Sequence, residues 1–264
     1  MRRTWCKAVA LLMTLCMVVS LCPLTVFASD EAEVAHTNGF AEDGSCQPAE
    51  QAADGVYEIG NAGQLYWFAR LVNGYYRSET DYKVGQNTAS ARLTADITVN
   101  AEIGGSARTW MPIGSDSLRY QGTFDGDGHS ISGLYFPGNE ETYAVESAIH
   151  YSASVVVYER EDGRVIRNGD VNGDTDAGLF GFVGENGVVK NLTVKNSEFL
   201  CGYMSIGAIA GTNDGTIQDC TGDSNTVSGN HSIGGIVGCN NFEADASLVA
   251  SCSNRKSSVT AMAE

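Results

Sequence analysis

Oxygen-bearing side chains occur at every second position from 170 to 176, an arrangement that could bind a cation. The residues are Asp170, Asn172, Asp174 and Asp176. In an EF-hand loop the first calcium ligands are carboxylate and amide oxygens at such alternate positions. The loop pattern then breaks, because Thr175 stands where glycine is needed and Gly181 where a bidentate acid is needed. The stretch is a calcium candidate, with a solvated acidic loop as the alternative, and no other cofactor is expected.

A second group of carboxylates, Asp125 and Asp127, lies in the Asp-Gly-Asp-Gly stretch. Two carboxylates can act as acid and base in glycoside hydrolysis. The alternative is a turn in which Asp and Gly serve the backbone. The sequence has only four histidines and contains no His-Glu-x-x-His, Gly-x-Ser-x-Gly or Gly-x-x-x-x-Gly-Lys motif. No catalytic residue is therefore predicted, and the chain is not expected to be an enzyme.

The first 28 residues have the features of a secretory signal peptide. A basic start precedes a mostly apolar run from 8 to 19, and Val26-Phe27-Ala28 fits a small-residue cleavage site. An uncleaved membrane anchor is the alternative. We predict an extracellular protein, secreted or associated with the cell wall, with no transmembrane segment after cleavage. Residues 29–54 are small and acidic and lack periodicity, which predicts a disordered or loosely attached leader.

The charge of the secreted chain excludes two classes of partner. Cleavage after residue 28 leaves 13 Lys and Arg against 32 Asp and Glu, a net charge of −19. Nucleic acids and anionic membrane surfaces both require a basic patch on the protein. We therefore predict no nucleic-acid partner and no binding to an anionic membrane.

The stretch 177–264 repeats one pattern three times. Gly178-Leu179-Phe180-Gly181 returns in altered form at 208–211 and at 235–238. A Gly/Asn-rich turn follows each copy, and then come three apolar positions with the same offsets. These positions are Val189, Leu192 and Phe199; Ile217, Cys220 and Val227; and Val249, Cys252 and Val259. Repetition every 28 to 32 residues indicates a stacked repeat array.

The repeat predicts a mainly β fold. Its apolar runs are three to five residues long and are broken by Gly or Asn, too short for helices of 10–12 residues. Short strands with one coil per repeat describe a parallel β-helix. In that fold Val189, Ile217 and Val249 would stack inward, about 4.8 Å apart. Glycines 181, 211 and 238 are expected where the chain bends or where a side chain would clash.

Five cysteines lie outside the signal peptide, namely Cys46, Cys201, Cys220, Cys239 and Cys252. An odd number leaves at least one cysteine unpaired or paired with another chain, and the disulfide pairing stays open. Cys220 and Cys252 fill the repeat position of Leu192, which predicts small buried apolar side chains. A zinc site is not expected, because the chain has no Cys-x-x-Cys and no close Cys/His cluster.

Before the repeats, the chain divides into three regions. We predict a β-helix domain over 55–264, with an N-terminal cap at 55–90, first rungs at 91–136, an inserted arm at 137–176 and the repeats at 177–264. In the arm, Glu161-Asp162-Gly163 between two apolar stretches predicts a β-hairpin. The segment 91–99 alternates and predicts one strand. Ile131 and Leu134 lie 58 residues before Val189 and Leu192 and are interpreted as the equivalent positions two periods earlier.

The cap is expected to contain a helix that covers the open end of the first coil. Its apolar stripe consists of Leu65, Phe68, Ala69, Leu71 and Val72, and Asn73-Gly74 marks its end. The aromatic run 66–68 could instead form a ligand platform.

Several stretches, in this order, resemble the GLUG-motif surface proteins of bacteria. They are Leu65 to Ala69 with Val72-Asn73, Leu93 to Val99, Trp110-Met111-Pro112-Ile113-Gly114, Gly122 to Leu134, and Gly178 to Gly181 with its repeats. The likeness runs from about 56 to 260, apart from 137–176. It implies a secreted or wall-attached right-handed β-helix, often part of a longer chain, and it supplies no catalytic residue.

The sequence therefore favours a structural or adhesin-like binding module, with a host or microbial surface glycan or protein as the expected partner. A polysaccharide lyase or hydrolase on the same scaffold, or an accessory region of a secreted peptidase, is the alternative. No capping segment follows Val259. We therefore expect either the N-terminal part of a longer protein or self-association through residues 249–260.

Overall fold

The structure is a computed structural model that describes residues 38–41, 44–78, 81–104, 107–137, 156–159, 165–168, 176–201, 205–240 and 246–261. Within these residues the chain is mainly β, with one α-helix, α1, at Ala62–Asn73.

The strands that precede the repeats are short. They are β1 (Glu50–Gln51), β2 (Tyr57–Ile59), β3 (Tyr75–Ser78), β4 (Asp81–Lys83), β5 (Ala91–Leu93), β6 (Ile97–Thr98), β7 (Thr123–Asp125), β8 (Ser130–Ser132), β9 (Tyr135–Phe136), β10 (Val156–Glu159) and β11 (Val165–Asn168).

The repeat strands are two to four residues long. They are β12 (Phe180–Val183), β13 (Val188–Lys190), β14 (Thr193–Lys195), β15 (Glu198–Cys201), β16 (Ile206–Gly207), β17 (Ala210–Asn213), β18 (Thr216–Gln218), β19 (Thr221–Asp223), β20 (Thr226–Gly229), β21 (Ile233–Gly234), β22 (Val237–Asn240), β23 (Leu248–Ala250), β24 (Ser253–Arg255) and β25 (Ser258–Ala261).

Parallel sheets join strands that lie one repeat apart in the chain, and β1 joins one of these sheets as an antiparallel strand. The seven-stranded sheet has the order β1-β2-β5-β7-β13-β18-β23, the five-stranded sheet β6-β8-β14-β19-β24, the four-stranded sheet β9-β15-β20-β25 and the three-stranded sheet β12-β17-β22. In the repeats the chain passes through the three-, seven-, five- and four-stranded sheets in that order, then through the two-stranded sheet of β16 and β21, and returns to the three-stranded sheet. We call each such passage a circuit.

The pairing confirms the register predicted for the repeats. Val189 pairs with Ile217, and Ile217 pairs with Val249. Phe199 pairs with Val227 in the same way. In the three-stranded sheet the repeated phrases at 178–181 and 208–211 align, because Phe180 of the first pairs with Ala210 of the second. Every circuit therefore presents equivalent residues to its neighbour.

The circuits turn at residues in the left-handed backbone region. Asn191, Asp219 and Ser251 have φ of 54°, 52° and 52° at one corner of three successive circuits. Asn196 and Ser224, at the next corner, have φ of 48° and 58°. Short polar side chains tolerate this conformation because they can hydrogen-bond locally. The turn residues of the sequence thus mark the corners between sheets.

Inward side chains of neighbouring circuits form one hydrophobic core. Phe124, Val189 and Ile217 are fully buried, whereas Val249, in the last described circuit, is 38% exposed. Burying such a side chain contributes about 1.5–3 kcal/mol, so a circuit is stabilised by the circuits on both sides of it.

Helix α1 confirms the predicted helix and its C-terminal end. The Asn61 side chain accepts a hydrogen bond from Gln64 N at 2.9 Å, and the N–H of Gly74 donates to Arg70 O. Four of its five stripe residues are buried, and Leu71 is half-buried. Phe68 packs against Phe124 of the seven-stranded sheet, with ring centroids 6.0 Å apart.

The predicted disordered leader over 29–54 is wrong for the part that the structure describes. Strand β1 pairs antiparallel with β2, and Ala49 is buried in the core. The Asn38 side-chain oxygen accepts from Ala62 N at 3.3 Å, so this segment also holds the start of α1. The low hydrophobicity of 29–54 suggested disorder, but a few backbone bonds and one buried alanine are enough to hold residues 44–54 in place.

Two predictions about the first circuits are also wrong. The segment 91–99 is not one strand, because it bends after Leu93 and its halves, β5 and β6, lie in different sheets. Ile131 does not correspond to Val189 but pairs with Val194, while Phe124 takes the position opposite Val189. Equal spacing of apolar residues did not distinguish one corner of a circuit from the next.

The segment 137–176 lies within one circuit and does not take the place of a circuit. Phe136 pairs with Phe199, and Ala177 forms a bridge to Ile206. Six residues separate Phe199 from Ile206 in the chain, whereas forty separate Phe136 from Ala177. Inside this long connection β10 pairs antiparallel with β11, which confirms the predicted hairpin. Its projection as an arm remains a prediction.

Among the described residues, no helix is both long and apolar enough to cross a membrane.

Candidate functional site

A group of charged side chains gathers beside the three-stranded sheet. Asp176 precedes β12, Asp214 follows β17, and Arg119 belongs to the loop between β6 and β7. That loop lies along the first strand of the sheet, because Ile113 bridges to Phe180 and Tyr120 bridges to Val183. Residues far apart in sequence are therefore brought to the same face of the sheet.

Arg119 joins two carboxylates. Its Nη2 lies 2.8 Å from Asp116 Oδ1, and its Nη1 lies 3.3 Å from Asp214 Oδ2. The guanidinium carbon stands 4.2 Å from the ring centroid of Phe182, a cation–π contact. The Asp214 side chain is fully buried, whereas that of Asp116 is 69% exposed. Arg119 thus links an exposed acid to a buried one.

Asp176 is the second buried acid of this group. Its Oδ1 accepts a hydrogen bond from Ser205 N at 3.1 Å, and the Thr212 hydroxyl donates to the same carboxyl group. Gly211 has to be a glycine here, because a Cβ at this position would lie 2.6 Å from the Cβ of Asp176. Burial, and to a smaller extent the charge of Asp116, raises the pKa of Asp176 to about 6.

The predicted calcium ligands are placed only in part. Asp170, Asn172 and Asp174 lie outside the described residues, and Asp176 is buried with its carboxylate bound to Ser205 and Thr212. Across the described part of the chain, no three His, Cys, Asp or Glu side chains are arranged to hold a metal ion. The calcium hypothesis therefore stays a prediction that rests on the sequence.

Asp125 and Asp127 form a turn. Asp125 Oδ1 accepts from Asp127 N at 2.9 Å and from Asn191 Nδ2 at 2.9 Å. Asp127 itself has φ of 48°. The Asn191 hydrogen bond, the Asp127 backbone N–H and Lys190 together hold the pKa of Asp125 below its usual value, against the opposing effect of burial. A carboxyl group with a lowered pKa is ionised at neutral pH, so Asp125 is poorly suited to act as a general acid.

The aromatic run 66–68 packs mainly inward. Phe68 is fully buried, and the Tyr66 hydroxyl donates to Thr109 O at 2.7 Å. The Tyr66 ring meets Trp110 edge-on with centroids 5.0 Å apart, and Trp67 meets Tyr57 at 5.4 Å. These contacts join the helix to the core. Of the aromatic rings named in this paragraph, Tyr57, Tyr66 and Trp67 are half-buried and the others are buried.

Sequence reasoning missed Asp116, Arg119 and Asp214. Asp214 belongs to the turn Asn-Asp-Gly that ends β17, and such a turn explains an acidic residue without further function. Arg119 stands in a loop with no periodic pattern. The only signal in the sequence was the repeated phrase at 208–211. It predicts a buried strand just before Asp214.

Comparison with known proteins gives two distant relatives. Halomucin of Haloquadratum walsbyi is 29% identical over 186 residues, which cover 70% of this chain and 2% of Halomucin. A putative Gly-rich membrane protein of Evansella cellulosilytica is 30% identical over 130 residues, 48% of this chain and 11% of that protein. The chain thus aligns with a small part of each of these relatives. No family model matches it, and no solved structure gives a significant match.

Proposed function

We propose that this chain is a secreted or cell-surface module whose repeats form a right-handed parallel β-helix of the GLUG-motif type. Its role would be structural or adhesin-like binding. The observation that carries the proposal is the in-register pairing of successive circuits through the same sheets in the same order. The names of the two relatives, a mucin-like name and a membrane-protein name, support a surface-associated role.

The outer face of the seven-stranded sheet suits a binding role. One row of side chains runs across its strands in register: Glu58, Arg92, Asp125, Lys190 and Gln218. Two ion pairs lie along it, Arg92 with Glu58 at 2.6 Å and Lys190 with Asp125 at 3.1 Å. Half-exposed polar groups repeated at about 4.8 Å offer regularly spaced hydrogen-bond partners to a glycan or an extended peptide.

A polysaccharide-degrading enzyme is the second candidate, and the grouping of Asp116, Asp176 and Asp214 near Arg119 favours it. General acid–base catalysis needs its carboxyl groups within hydrogen-bond reach of the substrate. Asp214 is fully buried and Asp176 is 7% exposed, so a polymer has access only to Asp116. Asp214 is better explained as a group that ties the 113–120 loop to the sheet through Arg119, and Asp176 as a group that binds Ser205 and Thr212 of the next circuit.

A binding screen and an activity assay would separate the two functions. The chain without residues 1–28 is applied to glycan and extracellular-matrix protein arrays, and the same polysaccharides are assayed for release of reducing ends and for unsaturated products. Binding without release supports the module, and product formation supports the enzyme. Ile217→Asp is the unfolded control, because it places an unpaired charge in the core. If the folded chain binds nothing and releases nothing, the binding role is wrong.

A further inference from the structure

Cys220 and Cys252 occupy equivalent corners of two successive circuits. The next residues, Thr221 and Ser253, are Cα partners in β19 and β24, and Ser253 N donates to Cys220 O at 3.0 Å. The residues before them, Asp219 and Ser251, both have φ of 52°. The two cysteines thus share the same backbone geometry, one strand spacing apart.

The sulfur atoms also have matching surroundings. Cys220 Sγ lies 3.2 Å from Gln218 O, and Cys252 Sγ lies 3.2 Å from Ala250 O. Both side chains therefore take the same direction from neighbouring strands. Adjacent strands are about 4.8 Å apart, which lies within the Cα–Cα range of about 4.4–6.8 Å that disulfides span.

The two thiols differ in their access to solvent. Cys220 is fully buried, and burial raises the pKa of its thiol to about 12. Cys252 is half-buried because no described circuit covers it. An external reagent therefore reaches Cys252 first, and Cys220 is positioned to react second. Both are thiols in this structure.

We propose that Cys220 and Cys252 are a redox site that closes to an intrachain disulfide between two circuits. The thiolate of Cys252 attacks a small-molecule disulfide and releases one thiol, which leaves a mixed disulfide on Cys252. Cys220 then gives up its proton and attacks the Cys252 sulfur, so that the second small thiol leaves. The cysteines lose two electrons and two protons, and the external disulfide gains them.

The cross-link would fasten the last described circuit to the one before it. This circuit has exposed apolar side chains, including Leu248 and Val259 at 45% and 44% exposure. A disulfide that closes a loop of about 30 residues stabilises mainly by restricting the unfolded chain. Its formation in the organism rests on the proposed extracellular location, where disulfides persist. The chemistry of the site can be tested separately with purified protein.

The test uses the folded chain without residues 1–28, incubated with glutathione disulfide, quenched with acid and alkylated without reduction. Cleavage at Asp219, Asp223 and Asp245 separates Cys220, Cys239 and Cys252 into different peptides for mass spectrometry. We expect a peptide pair that links Cys220 to Cys252 with the loss of two hydrogen atoms. The linked chain should melt several degrees higher than the reduced chain.

Two serine variants serve as controls. Cys252→Ser should abolish the link and leave Cys220 open to alkylation after unfolding, while Cys239→Ser should form the link as the parent does. The proposal is overturned if Cys220 and Cys252 are both recovered alkylated from the folded parent under oxidising conditions. It is also overturned if Cys252 is recovered mainly linked to Cys201 or Cys239. A failed cross-link would leave the array results unaffected, so the two proposals can fail independently.

Discussion

At the scale of single residues, Asp176 is the most perturbed acid that the structure describes. Its carboxyl group is buried beside Thr212 and Ser205, and its pKa is raised to about 6 from an ordinary value of 3.8. Hydrogen bonds from Ser205 and Thr212 oppose the shift, but desolvation outweighs them. The native protein therefore holds a proton on Asp176 that the unfolded chain loses at lower pH.

This difference makes stability depend on pH. Between about pH 4 and pH 6 the native state binds more protons at this site, so the free energy of unfolding falls as pH rises. Above the pKa that Asp176 has in the folded protein, this contribution to stability is lost completely. Asp176→Asn cannot ionise and keeps an oxygen that accepts from Ser205. We expect the variant to exceed the parent by about 1–3 kcal/mol at pH 7.5 and to equal it near pH 4.

Urea unfolding at both pH values measures this difference. Asp116→Asn is the matched control, because it makes the same chemical change at an exposed carboxyl group. The control should gain far less stability than Asp176→Asn at pH 7.5, because the charge of Asp116 contributes less than burial to the raised pKa of Asp176. An Asp176→Asn variant with equal or lower stability than the parent at pH 7.5 would show that Asp176 is stabilised as a carboxylate.

At the scale of elements, helix α1 depends on its first turn. The Asn61 side chain accepts from Gln64 N at 2.9 Å, and Gln64 Oε1 accepts from Gly60 N at 2.8 Å. Asn61 Nδ2 also donates to Gln47 Oε1 at 2.9 Å, which connects the helix start to the segment before β1. The cap therefore secures both the helix and the N-terminal strand.

Asn61→Ala should destabilise the protein by about 1–2 kcal/mol, because it leaves Gln64 N without its acceptor. Thermal unfolding followed by circular dichroism checks this value. Asn61→Ser restores an acceptor at the helix start and should recover most of the loss. If the alanine and serine variants melt together well below the parent, the lost interaction is the one with Gln47 and not the helix cap.

At the scale of the whole molecule, the long connection between β9 and β12 is separable from the stacked sheets. Strand β7 pairs directly with β13, and β8 pairs directly with β14, so the core is continuous across it. The equivalent connection one circuit later spans only the residues between Phe199 and Ile206. A short connection is therefore compatible with the circuit.

Replacing residues 138–175 by a five-residue Gly/Ser linker should leave the protein folded. Asp176 must be kept, because its carboxylate is buried against the next circuit. We expect an unchanged β signal in circular dichroism and a melting temperature within a few degrees of the parent. A deletion that also removes Asp176 serves as comparison. Loss of the cooperative transition in the first deletion would show that the segment contributes to the core.

The edge formed by β23, β24 and β25 should mediate self-association of this chain, which is one of the two alternatives that the sequence predicts. Leu248, Val249 and Val259 are 45%, 38% and 44% exposed there. The counterparts of the two valines one circuit earlier, Ile217 and Val227, are buried. Unpaired strand edges with apolar side chains accept another β-strand. We expect a second copy of the chain to bind at this edge, giving dimers that increase with concentration in sedimentation velocity.

Val249→Thr combined with Val259→Lys should weaken this association at least tenfold, because a charge then lies at the contact. Val84→Ser is the control, since Val84 is equally exposed, at 40%, and lies outside the edge. A parent chain that remains monomeric at high concentration contradicts the prediction. So does a Val84 variant that dissociates as readily as the edge variant.

The sequence by itself determined the features that repeat or act locally. Equal offsets among Val189, Ile217 and Val249 predicted their register, and the apolar stripe with Asn73-Gly74 at its end predicted α1. The period of the repeats and the end of the helix are visible in the sequence itself. Both can therefore be predicted without knowledge of the fold. The Asp-Gly turn predicted the hairpin for the same reason.

The tertiary structure alone decided which corner of a circuit each early segment forms and which acids come together. Phe124 and not Ile131 faces Val189, because β7 lies in the seven-stranded sheet with β13, whereas β8 lies in the five-stranded sheet with β14. Arg119 meets Asp214 across 95 positions of sequence only because the 113–120 loop lies along the sheet. Contacts between distant segments depend on how circuits stack, and the local sequence pattern does not encode that stacking where the repeats become irregular.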